Sequence, residues 1–324
     1  MAIGKASDFT IYQDQFHGGI TETLAQETNA FNSASNGTII LNAVERLGDY
    51  AQDTFMKTLS GLVSRRDTTS VAAATDLALT QDENISVKLN RKIGPVAQTL
   101  DAFRKINKDP SIMSFILGQQ AAKAIMAEYL NTGIGAAVAA IGQDNEQDND
   151  TATITTAGLV QAQAVLGDRG DSVAAYVMHS KAYYDLVQSQ IAANIFEVSG
   201  YNVREGAPVT LGKPVIVTDS SSLISVGTGP GAVDEYYTLG LVRGAITVEE
   251  SEGREVNAQI ITGLENLVIR WQSEFAFNLG LKGYKWDIAN GAANPTSGAL
   301  TTATNWDKTA TSDKDLLGVR LVTQ

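Results

Sequence analysis

Between Leu267 and Leu281 the apolar residues Leu267, Ile269, Trp271, Phe275, Phe277, Leu279 and Leu281 all occupy odd positions. Arg270, Gln272, Glu274, Asn278 and Lys282 occupy the even ones. Alternation of this kind marks extended chain, because successive side chains of a strand point to opposite faces. It predicts long β-structure with one wet face, and the apolar face needs a cover. The natural cover is a helix predicted from Pro110 to Leu130. Asp109 is placed to cap it and Pro110 to occupy its first turn, while Ile112, Phe115, Ile116, Ala122, Ile125, Met126 and Tyr129 line one face. Asn131-Thr132-Gly133 is expected to stop it, and the small apolar run Gly133 to Gly142 suits close packing.

A second pattern runs from Ser172 to Asp219. Val173 to Met178 is a short apolar run that reads as a buried strand. Ser180 is placed to cap the helix that follows, Lys181 to Ala192, with Tyr184, Val187 and Ile191 at helical spacing. Gly212-Lys213-Pro214-Val215-Ile216-Val217-Thr218-Asp219 then reads as another strand with proline at its start, where a missing N–H costs least. Strand, helix and strand form one α/β unit.

Elsewhere the pattern is weaker. Residues 1–38 sustain neither period and read as an extended arm. Ile40, Val44, Leu47, Ala51, Phe55, Leu59 and Val63 step by three or four, which predicts an amphipathic helix over 39–66. Leu77 and Leu79, then Ile85, Val87 and Leu89, alternate about a polar turn at Gln81 to Asn84 and predict a hairpin. A lone hairpin is marginal in water, so this one needs outside support. Gln143 to Asp150 reads as an acidic linker that lacks the glycine and late glutamate of a calcium loop. Thr155 to Leu166 reads as a helix closed by Gly167, and Asp168-Arg169-Gly170-Asp171 as a turn. Gly227 to Gly231 is a turn without the lysine of a phosphate loop, and Tyr236 to Val248 gives two strands about Arg243-Gly244.

The succession Val177-Met178-His179-Ser180-Lys181-Ala182-Tyr183-Tyr184-Asp185-Leu186, a loop, and Leu211 to Asp219 resembles the axial domain of tailed-bacteriophage major capsid proteins, the Hong Kong 97-like family. The likeness covers roughly residues 60 to 290 and rests on the order of the parts. It implies an α+β chain with an N-terminal arm (1–38), a helix (39–66) and an extended loop (67–100). It further implies a peripheral domain (101–150 and 262–290) with a spine helix at 110–130, an axial domain (151–261) and a C-terminal tail (291–324). Contacts between subunits are expected from Phe9, Tyr12 and Phe16 on the arm. Arg65, Arg66, Lys88, Arg91 and Lys92 would serve around the extended loop, and Trp306 would anchor the tail. The implied function is a self-assembling icosahedral shell of pentamers and hexamers around double-stranded DNA. Its partners would be a separate scaffolding protein, a portal protein, DNA held by non-specific proximity and a possible cement protein. The recognisable fold starting near residue 40 is the reason to expect separate scaffolding. An encapsulin-like nanocompartment shell is the nearer rival.

Composition sharpens this picture. The 324 residues are 44% apolar and 19% charged, with 24 basic against 36 acidic side chains and a net charge of −12, a globular composition that repels nucleic acid over most of its surface. There is no cysteine, which excludes disulfides and thiolate metal sites. No secretory leader or membrane segment is expected, and the virion, assembled in a bacterial cytoplasm, is the implied location. No cofactor and no metal are expected. With only His17 and His179, the enzymatic rival is an α/β hydrolase built on His179, a serine and an acid such as Asp219, without the usual Gly-x-Ser-x-Gly elbow.

Overall fold

The computed structural model describes residues 6–43, 48–57, 61–66, 68–73, 76–99, 110–193, 195–198, 201–204, 210–229 and 231–324. The first half holds α1 (Ala6–Ala34), β1 (Ile39–Ala43), β2 (Tyr50–Met56), β3 (Gln81–Thr99), α2 (Pro110–Ile141), β4 (Glu146–Asp148) and α3 (Thr156–Val165). Next come β5 (Val173–Met178), α4 (Ser180–Ala193), β6 (Ile195–Val198), β7 (Tyr201–Arg204), β8 (Val215–Val217), β9 (Ile224–Ser225) and β10 (Glu235–Val242). The chain ends with β11 (Ile246–Ile261), β12 (Val268–Leu281), β13 (Tyr284–Trp286), α5 (Ile288–Gly291), α6 (Ser297–Leu300), β14 (Trp306–Lys308) and β15 (Gly318–Thr323).

The alternating stretch is β12, the central strand of a seven-stranded sheet in the order β1-β11-β12-β13-β14, with β3 also paired to β12 and β2 to β3. Its odd-numbered Phe275, Phe277, Leu279 and Leu281 are buried. The cover is α2, as its apolar face predicts: the Tyr129 ring packs on Phe277 at 4.7 Å and on Phe275 at 6.1 Å. Ala276 and Asn278 on the expected wet face are buried too, because β3 and β11 flank this half of β12 on both sides.

A second, six-stranded sheet runs β4-β15-β10-β5-β8, with β9 on β10. The predicted α/β unit is its heart: β5 and β8 pair in parallel, Tyr176 opposite Val215, with α4 between them in sequence. One face packs Val173, Tyr176, Met178, Val319 and Leu321 against α3 and α4 through Leu159, Ala162, Ala182 and Leu186. The other face gives Val177, Leu239 and Leu241 to the large core shared with α2 and the first sheet.

Several expectations are corrected. The arm is α1, a helix laid on α2. Phe16, Ile20 and Leu24 repeat every four residues and are 5%, 0% and 5% exposed, a stripe obscured by the polar residues around it. The helix predicted over 39–66 is instead β1 and β2. Ile39↔Ile246 begins a parallel ladder with β11, and Asn32 bonds both backbone groups of Leu41 at 3.0 Å, so tertiary pairing overrides the apparent period. Val44, Leu47 and Leu59 of that pattern lie outside the described residues.

The predicted hairpin turn at Gln81 to Asn84 lies within β3, which pairs with β2 from Met56↔Gln81 to Tyr50↔Val87. The spine helix passes Gly133 and continues to Ile141. Gly133 does not cap it; instead an added β-carbon there would sit 3.0 Å from Ile246 Cγ2, so glycine lets the sheet approach. The stretch Ser114–Ile141 is long and apolar enough to cross a membrane, but 67% of its 18-residue window is buried inside the chain, as befits a core helix. The expected linker 143–150 contains β4, paired in parallel with β15. The axial unit accordingly loses β11 to the first sheet and gains β15 from the tail, while the tail's β14 joins the first sheet.

Candidate assembly surfaces

The β2–β3 ribbon carries the least supported segment. Beyond Met56 the ladder closes with Lys57 N–H donating to the Thr80 carbonyl at 2.9 Å, and the described residues between them form neither helix nor strand. Their apolar side chains are open: Val71 is 103% exposed, Val63 95%, Leu62 67%, Leu79 64% and Leu77 56%. The two valines are essentially uncovered, and the three leucines are more than half so. The root, by contrast, is clamped. Asp82 receives Lys57 at 2.9 Å and Lys285 of β13 at 3.2 Å. The Lys57 hydrogen bond is the main reason its pKa falls to about 2.

The structure divides the expected contact residues. Arg65 and Arg66 are exposed on the excursion, and among the described residues no carboxylate pairs with either. Lys92 is exposed, opposite Glu274 in the ladder. Lys88 and Arg91 serve their own chain: Lys88, 8% exposed, pairs with Glu252, and Arg91 Nε donates to Glu128 of α2 at 2.7 Å. Arg91 reaches α2 from one face of β3, whereas Lys88 reaches Glu252 of β11 from the other. Phe16 and Trp306, expected at contacts, are core residues. Phe16 packs on Trp271 at 4.6 Å, and Trp306 meets Trp286 edge-on at 4.9 Å while donating its indole N–H to the Leu300 carbonyl at 2.9 Å. Phe9 and Tyr12 fall within α1, and their side chains lie outside the described residues.

His179 is the residue an enzyme reading would need. Its Nδ1 accepts the Lys181 N–H at 3.1 Å, capping α4 one position earlier than the expected Ser180, and its Nε2 faces Asp219 at 3.4 Å. The Ser180 hydroxyl is bonded to Asp219, the main cause of that carboxyl's lowered pKa. Both imidazole nitrogens are thus engaged, and the Ser180 hydroxyl meets Asp219 rather than the imidazole. The cleft of about 600 Å³ beside this group is lined by Ser220, Ser222, Thr301 and Glu128, between α2 and the second sheet. The acidic run 143–150 is likewise consumed internally. Asp144 accepts from Tyr284 at 2.8 Å and from Lys308 at 3.3 Å, and Glu146 pairs with Arg320. Among the described residues no cluster of three His, Asp or Glu side chains is arranged to hold a metal. The sequence signal missed here was the apolar content of the excursion itself, read as a strand at Leu77 and Leu79.

Two mixed sheets, a spine helix and an unsupported excursion are accompanied by a family match. The family described as Gp13-like, major capsid protein 13-like, matches residues 8–320. The chain belongs to this family. It is a major capsid protein, a head shell protein of a tailed phage, and its place is the virion capsid. Among solved structures, the capsid asymmetric unit of cyanophage Pam1 is similar with a TM-score of 0.51 at 11% identity, over 86% of this chain and 85% of that one. A chain of Mycobacterium phage Bobi is similar with a TM-score of 0.51 at 12% identity, over 88% of each chain. At these identities the likeness speaks for the fold, and the fold is the phage-capsid one that the sequence resembles. No curated protein matches the chain.

Proposed function

We propose that this major capsid protein tiles a closed icosahedral shell of pentamers and hexamers around double-stranded DNA, working by geometry and catalysing nothing. The observation that carries the reading is the excursion between β2 and β3, clamped at its root through Asp82 and carrying exposed apolar side chains beyond it. Apolar side chains exposed in this way are stabilised only when another surface covers them, and in a shell that surface is another copy. Of the expected contact cations, Arg65, Arg66 and Lys92 are exposed and able to meet carboxylates of that copy. Each exposed pair contributes about 0–1 kcal/mol and sets register more than strength. In the terms of the family's plan, the first sheet with α2 corresponds to the peripheral domain and the second sheet to the axial domain. A scaffolding protein supplied as a separate chain is what the family resemblance implies. A portal protein and packaged DNA complete the expected partners.

Electron microscopy of the purified full-length chain, with and without the products of neighbouring genes, tests this reading. Closed shells are expected. A monomer under every condition, with residues 57–80 protected from proteolysis, would end it.

A further inference from the structure

Cations on the folded elements mostly face carboxylates of their own chain, as Lys88, Arg91, Arg254 and Arg320 do. Among the described residues Lys213, Arg243 and Lys282 make no such ion pair. All three line one cavity of about 490 Å³, where the starts of β5 and β8 meet the β10–β11 turn. Arg243 and Lys282 are exposed at its rim, and among the described residues Lys282 Nζ reaches only the Arg243 carbonyl, at 3.4 Å. Among the described residues the Lys213 ammonium is enclosed without a hydrogen-bond partner. Its backbone is fixed: the Lys213 N–H donates to the Thr210 carbonyl at 3.0 Å, and the Thr210 hydroxyl donates to the Lys213 carbonyl at 2.8 Å. Burial lowers the Lys213 pKa, with Asp171 opposing. Among the described residues Asp171 is the one carboxylate in the cavity lining, against three cations, in a chain of net charge −12. An enclosed ammonium with no hydrogen-bond partner and only one carboxylate nearby is costly, so an arriving anion would be stabilised.

We propose that this cavity is a socket for a carboxylate side chain of a second copy of the chain. The inference rests on the assembly reading above. A recessed site favours a slender carboxylate over duplex DNA, whose stiff backbone meets protruding cations and would touch only the rim. Arg243 and Lys282 would hydrogen-bond the entering carboxylate, and Lys213 behind them would add its field where water is scarce. Every copy carries an excess of acidic side chains, so every copy offers an occupant.

The test compares full-length wild type with the R243E/K282E double variant under conditions in which wild type closes shells. Both changes are at exposed positions, and circular dichroism with a thermal midpoint checks the fold. Should that variant misfold, R243Q/K282Q takes its place. The expected result is folded subunits whose assembly, followed by sedimentation and microscopy, needs at least about a tenfold higher concentration, because like charges now oppose across the contact. Shells at the wild-type concentration would overturn the proposal. So would normal shells that lose only their packaged DNA, which would assign the cavity to phosphate of the genome. Inorganic phosphate raising the thermal midpoint of wild type but not of the variant, with assembly unchanged, would assign it to a free anion and overturn the socket equally. A wild type that closes no shells would instead defeat the assembly reading itself.

Discussion

Replacing Gly118 with alanine tests whether the first helix is a docked part of the subunit. In isolation the change favours α2, because alanine is about 1 kcal/mol better than glycine in a helix interior. The structure reverses that sign. A β-carbon on Gly118 would fall well inside 3.0 Å of the Phe16 carbonyl oxygen, 3.2 Å from the Ile20 nitrogen and 3.3 Å from the Gly19 α-carbon. The crossing is reciprocal, since a β-carbon on Gly19 would lie 2.7 Å from the Phe115 carbonyl oxygen. These neighbours are backbone atoms, so no rotamer change relieves the clash and the helices must part. Overpacking of this kind costs about 1–3 kcal/mol. Partial loss of burial at Phe16, Ile20 and Leu24 adds to it, at about 1.5–3 kcal/mol for each side chain fully exposed. A net loss of about 2–4 kcal/mol is expected once the helix gain is subtracted.

Gly18→Ala is the matched control, because nothing lies within 4 Å of its added β-carbon. It should stabilise by about 0.5–1 kcal/mol. Urea unfolding of the unassembled subunit gives both values, and amide exchange over residues 6–34 shows whether α1 itself has loosened. Equal stabilisation by the two substitutions would refute the close crossing and return residues 6–34 to a free arm.

Asp82→Asn should remove about 1–2 kcal/mol of subunit stability at neutral pH, a figure kept modest because its lysine partners are flexible. A lowered carboxylate pKa contributes stability above its ordinary value of 3.8 and loses it as pH falls toward 2, so in an acid titration the variant should lack that part of the wild-type decline; an unchanged acid limb would show the clamp to be inert. Trp306→Ala should cost about 3–5 kcal/mol in the lone subunit, since the ring is 1% exposed and its N–H is satisfied internally. A defect confined to assembly would contradict its place in the core. Leu77→Asp with Leu79→Asp should leave subunit unfolding within about 0.5 kcal/mol of wild type while shell yield collapses, and normal yields would remove these side chains from the contact.

What could be read from the sequence follows from where pairing is local and where it is not. β12 and the β5–α4–β8 unit announce themselves because one-sided burial imposes a period on each. α3 was legible from its own ends, with Thr155 accepting the Gly158 N–H. α1 was not, although Phe16, Ile20 and Leu24 carried its period, because glycines at its crossing and polar residues on its outer face diluted the stripe. Residues 39–56 misled in the opposite direction: apolar positions happened to step like a helix, while β1 is fixed by a strand more than two hundred positions away. The division between the sheets was illegible for the same reason. β15 reads as an isolated apolar run, and nothing near it in sequence says that β10 and β4 flank it. Of the candidate contact residues, exposure alone separates Arg65, Arg66 and Lys92 from Lys88, Arg91, Phe16 and Trp306, and exposure depends on the fold around each side chain, which no residue type records.

The chain's path explains why a load on the excursion would reach the whole subunit. Two short connections join the sheets directly, 243–245 between β10 and β11 and 309–317 between β14 and β15, and 142–145 leads from α2 into β4. α2 touches both, meeting Ile246 of the first sheet at Gly133 and Ser222 beside the second at Gly135. Its Val138 carbonyl also accepts from Arg320 of β15 at 3.0 Å. The excursion's root joins this frame through Asp82 and Lys285, and β13 leads through β14 toward β15. A neighbour that seized the exposed leucines and valines would therefore pull on strands already tied across the core, so the subunit would respond as one body. The apolar side chains that await a cover sit on the described residues of the excursion, and the tied strands hold them out from the core.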